Sequence, residues 1–185
     1  MIENSTQIRP LRLEDYGTLV RFYGKKETDW SKDSFRRCFF DDTPLAKNFT
    51  FVAMRQDEAN ILGTATLTFY PETVELTYGL ERAKAHLQTP DFNSARAVLG
   101  GVKVAPEWRR NGIGKQLICV TLEQAALMQV PKCHLVVVPT NPAVKIYANL
   151  GFEETWEQFQ YLDTNPPSPT LWCMKISIER YLATK

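Results

Sequence analysis

Arg109 and Arg110 stand directly before Asn111, Gly112, Ile113 and Gly114, where an apolar stretch ending in Val104 gives way to a helical pattern. The chemistry such a group could do is anion binding. A strand that passes straight into a helix leaves the first four N–H groups unpaired, and their dipoles sum to about half a positive charge. Glycines remove the Cβ atoms that block close approach, and guanidinium groups grip phosphate bidentately. A diphosphate fits these residues; so does a plain glycine turn with two solvated arginines. The dinucleotide pattern GxGxxG is missing, and Gly114-Lys115 runs into Gln116 rather than the Ser or Thr of a phosphate loop.

A second run, Asn141 to Phe152, places one phenol on a short helix. Asn141 is a good N-cap, Pro142 suits the first helical position, and Gly151 supplies a left-handed stop. Ala143, Ile146, Tyr147 and Leu150 then share the inward face. A tyrosine so placed reads, on its own, as a core residue with a satisfied hydroxyl.

The elements that must position these groups follow from periodicity. Residues 6–11 read as a strand, and Tyr16, Leu19, Val20 and Tyr23 mark an amphipathic helix from Leu13 to Tyr23, with Glu14 and Asp15 in its first turn. A second helix covers Asp33–Phe40. Phe49–Met54 and Ile61–Tyr70 read as an antiparallel hairpin, the latter alternating Thr64, Thr66 and Thr68 with Ala65, Leu67 and Phe69. Residues 71–95, with a short helix around Leu80–Leu87, form a long connection of the kind that shapes a substrate pocket. Ala97–Val104 is a strand and Ile113–Gln129 a helix burying Leu117, Ile118, Leu122, Ala125 and Met128. Lys132–Val138 has the continuous apolar run of a parallel-type strand, and Trp156–Leu162 and Leu171–Ile178 close the chain as an antiparallel pair. The fold class is α/β (α+β) with a mixed sheet.

The 185 residues suit one domain, 1–185, and the formal charge of +1 gives no long-range pull toward nucleic acid or an anionic membrane. No leader pattern or long apolar span is present, which predicts a cytoplasmic protein. Cys38, Cys119, Cys133 and Cys173 are scattered, with only His86 and His134 as companions, so free thiols and no metal are expected.

The two runs together carry a resemblance. Val102-Lys103-Val104-Ala105-Pro106 followed by Arg109-x-x-Gly112-x-Gly114 resembles the strand-turn-helix motif of the GNAT superfamily of acyl-CoA-dependent N-acetyltransferases. Asn141, Ala143, Tyr147, Gly151 and Phe152 are similar to the family's second motif, with Ala143 one position early. The close likeness spans Val98 to Phe152.

The resemblance implies a mostly antiparallel sheet splayed at its middle and flanked by helices. It implies acetyl-CoA as co-substrate: the backbone of Val102, Lys103 and Val104 on the pantetheine arm and thioester carbonyl, Arg109, Arg110, Asn111, Gly112, Ile113, Gly114 and Lys115 on the pyrophosphate, and Asn141 on the cofactor side. Tyr147 is then the general acid for the thiolate. Gly100-Gly101 marks either a bulge or a simple irregularity. Many family members carry a Glu on the strand before the first motif, and Ala97 to Gly101 holds no carboxylate, so Glu72, Glu75, Asp91 or bulk water is left as base. The acceptor would meet Tyr23–Phe40 and 71–95, where Asp29, Asp33, Asp41 and Asp42 offer charge and Trp30, Tyr70 and Tyr78 offer rings to a cationic amine. A small-molecule amine is expected over a protein substrate, and a homodimer is allowed. The alternatives are an acyl-CoA sensor that transfers nothing, and a domain binding some other nucleotide.

Overall fold

The structure, a computed structural model, describes residues 6–26, 28, 30–40, 46–55, 60–70, 97–159 and 170–185, without the side chains of Ser34, Arg37, Cys38 and 156–159. The expected 71–95 helix, Glu72, Glu75, Tyr78, Asp91, Asp29, Asp41 and Asp42 lie outside the described residues.

Strand β1 (Thr6–Pro10) leads through a 3-10 turn (Leu13–Asp15) into α1 (Tyr16–Phe22), then α2 (Lys32–Phe40). Strands β2 (Lys47–Arg55), β3 (Ile61–Phe69) and β4 (Ala97–Val104) follow, and a 3-10 turn (Pro106–Trp108) precedes α3 (Ile113–Leu127). The chain closes with β5 (Lys132–Val137), α4 (Ala143–Asn149), β6 (Glu153–Phe159), β7 (Leu171–Ser177) and α5 (Ile178–Ala183). The seven strands are bonded in the order β1-β2-β3-β4-β5-β7-β6. The β1–β2, β5–β7 and β6–β7 pairs are antiparallel, whereas β4 and β5 run parallel. This is the mixed, mostly antiparallel sheet with flanking helices that the sequence predicts.

By contact density the chain forms two compact units. One holds β1, α1, α2, β2, β3 to Thr68, β4 from Leu99, and α3 to Gln124. Its core gathers Tyr16, Leu19, Val20, Phe35, Phe39 and Val52, each apolar side chain contributing about 1.5–3 kcal/mol on burial. Trp30, a sequence candidate for stacking on an amine, packs edge-on against Tyr23 and Phe39 at centroid distances of 5.7 and 5.3 Å, and its carbonyl accepts from the Tyr16 hydroxyl. Helix α3 lies so close to β3 that a Cβ on Gly63 would stand 2.9 Å from both Leu117 Cδ1 and the Lys103 carbonyl oxygen.

The other unit holds Phe69, the first two residues of β4, the last turn of α3 and everything after it. Val98 pairs with His134 across β4 and β5, while six residue pairs join β5 to β7. Cys133, Leu135 and Val137 are buried, as a parallel-type strand requires. Cys133 and Cys173 are buried and Cys119 is half-buried.

Three expectations need correction. The first helix begins as a 3-10 turn, at whose head Asp15 accepts from the Arg12 amide at 2.8 Å as the N3 residue of a capping box and is also held by Arg9. Strand β6 starts at Glu153, not Trp156. Residue Ile178, read as the last alternating residue of a strand, starts α5, whose cap is Ser177 Oγ accepting from the Arg180 amide at 3.4 Å.

Candidate active site

The middle of β4 is bent on purpose. Gly101 has φ +59°, a left-handed backbone that favours glycine, and a Cβ there would stand 3.4 Å from Thr66 Oγ1. The buried Thr64 hydroxyl donates to the Gly101 carbonyl at 2.9 Å, and the Tyr23 hydroxyl lies 3.1 Å from Thr64 Oγ1. The single Thr64 proton is committed to Gly101, so Tyr23 must be the donor in the second bond. A trans peptide points its C=O and the next N–H in opposite directions. Drawing the Gly101 carbonyl toward β3 therefore turns the Val102 N–H away from it.

The turn after β4 is built from strained and open backbone. Arg110 (φ +65°) and Gly112 (φ +78°) are both left-handed, and nothing lies within 4 Å of the point a Gly112 Cβ would occupy. The Gln116 amide donates to the Gly112 carbonyl at 3.0 Å, so the amides of Ile113, Gly114 and Lys115 precede the first helical bond of α3. Arg109 Nε donates to the Val104 carbonyl at 3.2 Å, tying the guanidinium to the strand end, and Asn111 Nδ2 donates to the Trp108 carbonyl at 3.2 Å. Arg109, Arg110, Asn111, Gly112 and Lys115 are exposed, while the Ile113 side chain is buried and offers only its backbone. Gly114 brings the helix to Val104, whose Cγ2 would touch a Cβ there at 3.6 Å. Open amides, a missing Cβ and two exposed guanidinium groups fit a diphosphate.

Asn141 and Tyr147 belong to the other unit. Asn141 Oδ1 accepts from the Ala143 amide at 2.9 Å, the predicted cap. Tyr147 is buried, its ring edge-on to Phe152 at 5.7 Å. Its hydroxyl bonds to none of the described residues, and burial raises its pKa above the usual 10.0. Ile146, expected on the inward stripe, is 38% exposed, since a seven-residue helix buries one narrow face and Tyr147 occupies it.

Residues 8–152 match the acetyltransferase (GNAT) family, from β1 to the end of the second motif. The chain is a member of that family. Its fold is similar to three solved structures among others. One is the spermidine/spermine N-acetyltransferase SpeG of Vibrio cholerae, at 21% identity and TM-score 0.62, with 97% of this chain and 96% of that one covered. A GNAT-family acetyltransferase of Streptococcus pneumoniae gives 17% and 0.62, covering 94% and 99%. The NatC complex bound to Gag peptide and CoA gives 15% and 0.63, covering 94% and 98%. No curated protein sequence matches the chain.

The GNAT motif thus accounts for the turn, and side chains that sequence patterns left out surround it. Within the first unit, a cavity of about 650 Å³ opens between the end of α1 and the turn after β4. Arg21, Phe22, Tyr23, Lys103, Trp108 and Arg109 line it. The Lys103 ammonium sits 4.4 Å from the Tyr23 ring centroid and 5.1 Å from that of Phe22. The alternation of threonines on β3 was visible in the sequence, but nothing in it tells that Thr64 meets Tyr23 and Gly101. Among the described residues no cluster of His, Cys, Asp or Glu could hold a metal, and no helix is long and apolar enough to cross a membrane.

Proposed function

We propose that this GNAT domain is an N-acetyltransferase that moves an acetyl group from acetyl-CoA to a primary amine by direct attack in a ternary complex. The observation that carries the reading is the open, left-handed Gly112 at the head of α3, with Arg109 and Arg110 beside it. Acetyl-CoA, when bound, supplies the activated carbonyl carbon. The amides of Ile113, Gly114 and Lys115 hold its diphosphate, with Arg109, Arg110 and Asn111 at the rim. The backbone of Val102, Lys103 and Val104 binds the arm, and the Val102 N–H polarises the thioester carbonyl.

The acceptor enters as the neutral amine; as its nitrogen bonds to the carbonyl carbon and the carbon–sulfur bond breaks, the nitrogen's extra proton passes to water, and water returns a proton to Tyr147 after the transfer. Tyr147 gives its proton to the departing sulfur, and its raised pKa keeps that proton in place at neutral pH. Asn141 spends Oδ1 on the cap, which leaves its Nδ2 for the cofactor side.

Of the similar folds, one is a spermidine/spermine N-acetyltransferase and another is bound to Gag peptide and CoA. A small-molecule amine is favoured here because the cavity beside Lys103, about 650 Å³, has the size of a small ligand. The second reading, an acyl-CoA sensor, is favoured by one observation, the lack of a carboxylate between Ala97 and Gly101. Thiol release from acetyl-CoA with a panel of amines separates the two. Amine-dependent release is expected; acetyl-CoA binding with no release at high enzyme concentration makes the protein a sensor.

A further inference from the structure

We infer that the acceptor carries an anionic group, a carboxylate held at Lys103 and Arg21 in the cavity beside β4, and that the enzyme works on amino-acid-like amines rather than on polyamines. The inference rests on the acetyltransferase reading and adds the substrate class to it.

Arg109, given to the diphosphate, leaves two cations, Arg21 and Lys103, lining the cavity against one carboxylate, Glu107, and the remaining titratable wall is the phenol of Tyr23. Lys103 forms no ion pair with a described carboxylate; its ammonium rests on the faces of Tyr23 and Phe22, which attract a cation without neutralising it. Among the described residues Arg21 Nη2 bonds the Thr18 hydroxyl, at 3.2 Å, and no carboxylate pairs with its guanidinium. A polyamine would meet this wall with like charge, whereas a carboxylate gains charge-assisted hydrogen bonds. The volume of about 650 Å³ suits a small ligand lying on an aromatic floor.

The same charges bear on the absent base. A positive surrounding disfavours the protonated form of an amine and lowers its pKa. An acceptor anchored by its carboxylate beside Lys103 is thereby supplied in the neutral form that attack requires, which a β4 lacking any carboxylate does not otherwise provide. Lys103 is on the strand whose backbone is assigned to the thioester, so the anchored amine is kept near the reacting bond.

Matched acceptors test this: tyrosine against tyramine and lysine against cadaverine, each pair differing in one carboxylate. Turnover, and calorimetric binding to the CoA-saturated protein, are measured for wild type, Lys103→Met and Arg21→Gln; Lys103→Met keeps a stem to pack on the rings. In wild type the carboxylated partner should lead by about tenfold in kcat/KM. Either variant should lower that ratio several-fold, and Lys103→Met should move the acid limb of kcat to higher pH. An α-amine is less basic than an alkyl amine, but that advantage survives in the variants while a charge preference does not. Equal or greater use of tyramine, cadaverine or spermidine by wild type overturns the inference and leaves the acetyltransferase standing. So does an unchanged ratio in both variants, or carboxylate binding that vanishes when CoA is present, since the cavity would then belong to the cofactor. Absence of tyrosine and lysine binding also overturns it. Failure of the underlying reading is distinct, because acetyl-CoA itself would then not bind or no amine would release thiol.

Discussion

Tyr147 is a buried ring whose hydroxyl is uncommitted among the described residues, and burial holds its proton more firmly than a free phenol does. As general acid it must be protonated. Turnover should therefore rise with pH as the acceptor amine loses its proton and show no loss from Tyr147 below about pH 10. Tyr147→Phe should lower kcat by about 10²-fold or more while acetyl-CoA affinity stays the same; equal turnover in steady-state assays removes Tyr147 from the chemistry. Thr64 acts one step back, by fixing the Gly101 peptide. Thr64→Val strands the Gly101 carbonyl and the Tyr23 hydroxyl, at a cost of about 1–3 kcal/mol in chemical denaturation. Its kcat should fall by about tenfold with acetyl-CoA affinity nearly unchanged, and Thr64→Ser should restore both. A valine variant with full turnover, or a serine variant without rescue, would show that the bond only supports packing.

At the scale of elements, the parts with strong local rules were legible. The run from Ala97 to Leu127 announced itself by an apolar strand, a glycine turn and a helical stripe, and Asn141, Pro142 and Gly151 bounded α4. What escaped was set by partners remote in sequence or by shortness. Helix α5 has six residues, too few for a period to show, and its first residue continued the alternation of β7. Asp15, read as an acid favourable to a helix N-terminus, does accept the Arg12 amide there; what the sequence did not tell is its two-pronged bond from Arg9, at 2.8 and 2.7 Å, which ties β1 to the start of α1. Burial alone would raise the Asp15 pKa; the Arg9 hydrogen bond and the Arg12 amide outweigh it and leave the carboxyl below its ordinary value. The stabilisation from this shift is present above the ordinary carboxylate pKa of about 4 and is lost as pH falls through the lower folded value. Asp15→Asn should cost about 1–3 kcal/mol at pH 7, discounted for partial exposure of Arg9. Urea denaturation at pH 7 and pH 3 should show the gap to wild type narrowing in acid; a constant gap would mean that the charge is idle.

For the whole molecule, a net charge of +1 leaves no general field, so any hold on an anionic cofactor is local. The order of strands and helices, and the family to which it belongs, could be read from two short motifs because each is contiguous in sequence. The cavity could not, since Tyr23, Thr64 and Lys103 meet only after three separate stretches have packed around β4. The missing strand carboxylate was plain from the start, and its consequence became clear only with the cationic wall.

The account turns on the turn before α3, and calorimetric titration of acetyl-CoA into the full chain tests it most directly. Wild type should bind. Gly112→Glu, which sets a carboxylate among the open amides, should lose affinity by about 10²-fold or more. Gly112→Ala should keep most affinity, because the space is empty, while paying about 1–2 kcal/mol in stability for its left-handed backbone. No heat with wild type, or undiminished affinity in a folded Gly112→Glu protein, would contradict the assignment of the diphosphate to this site.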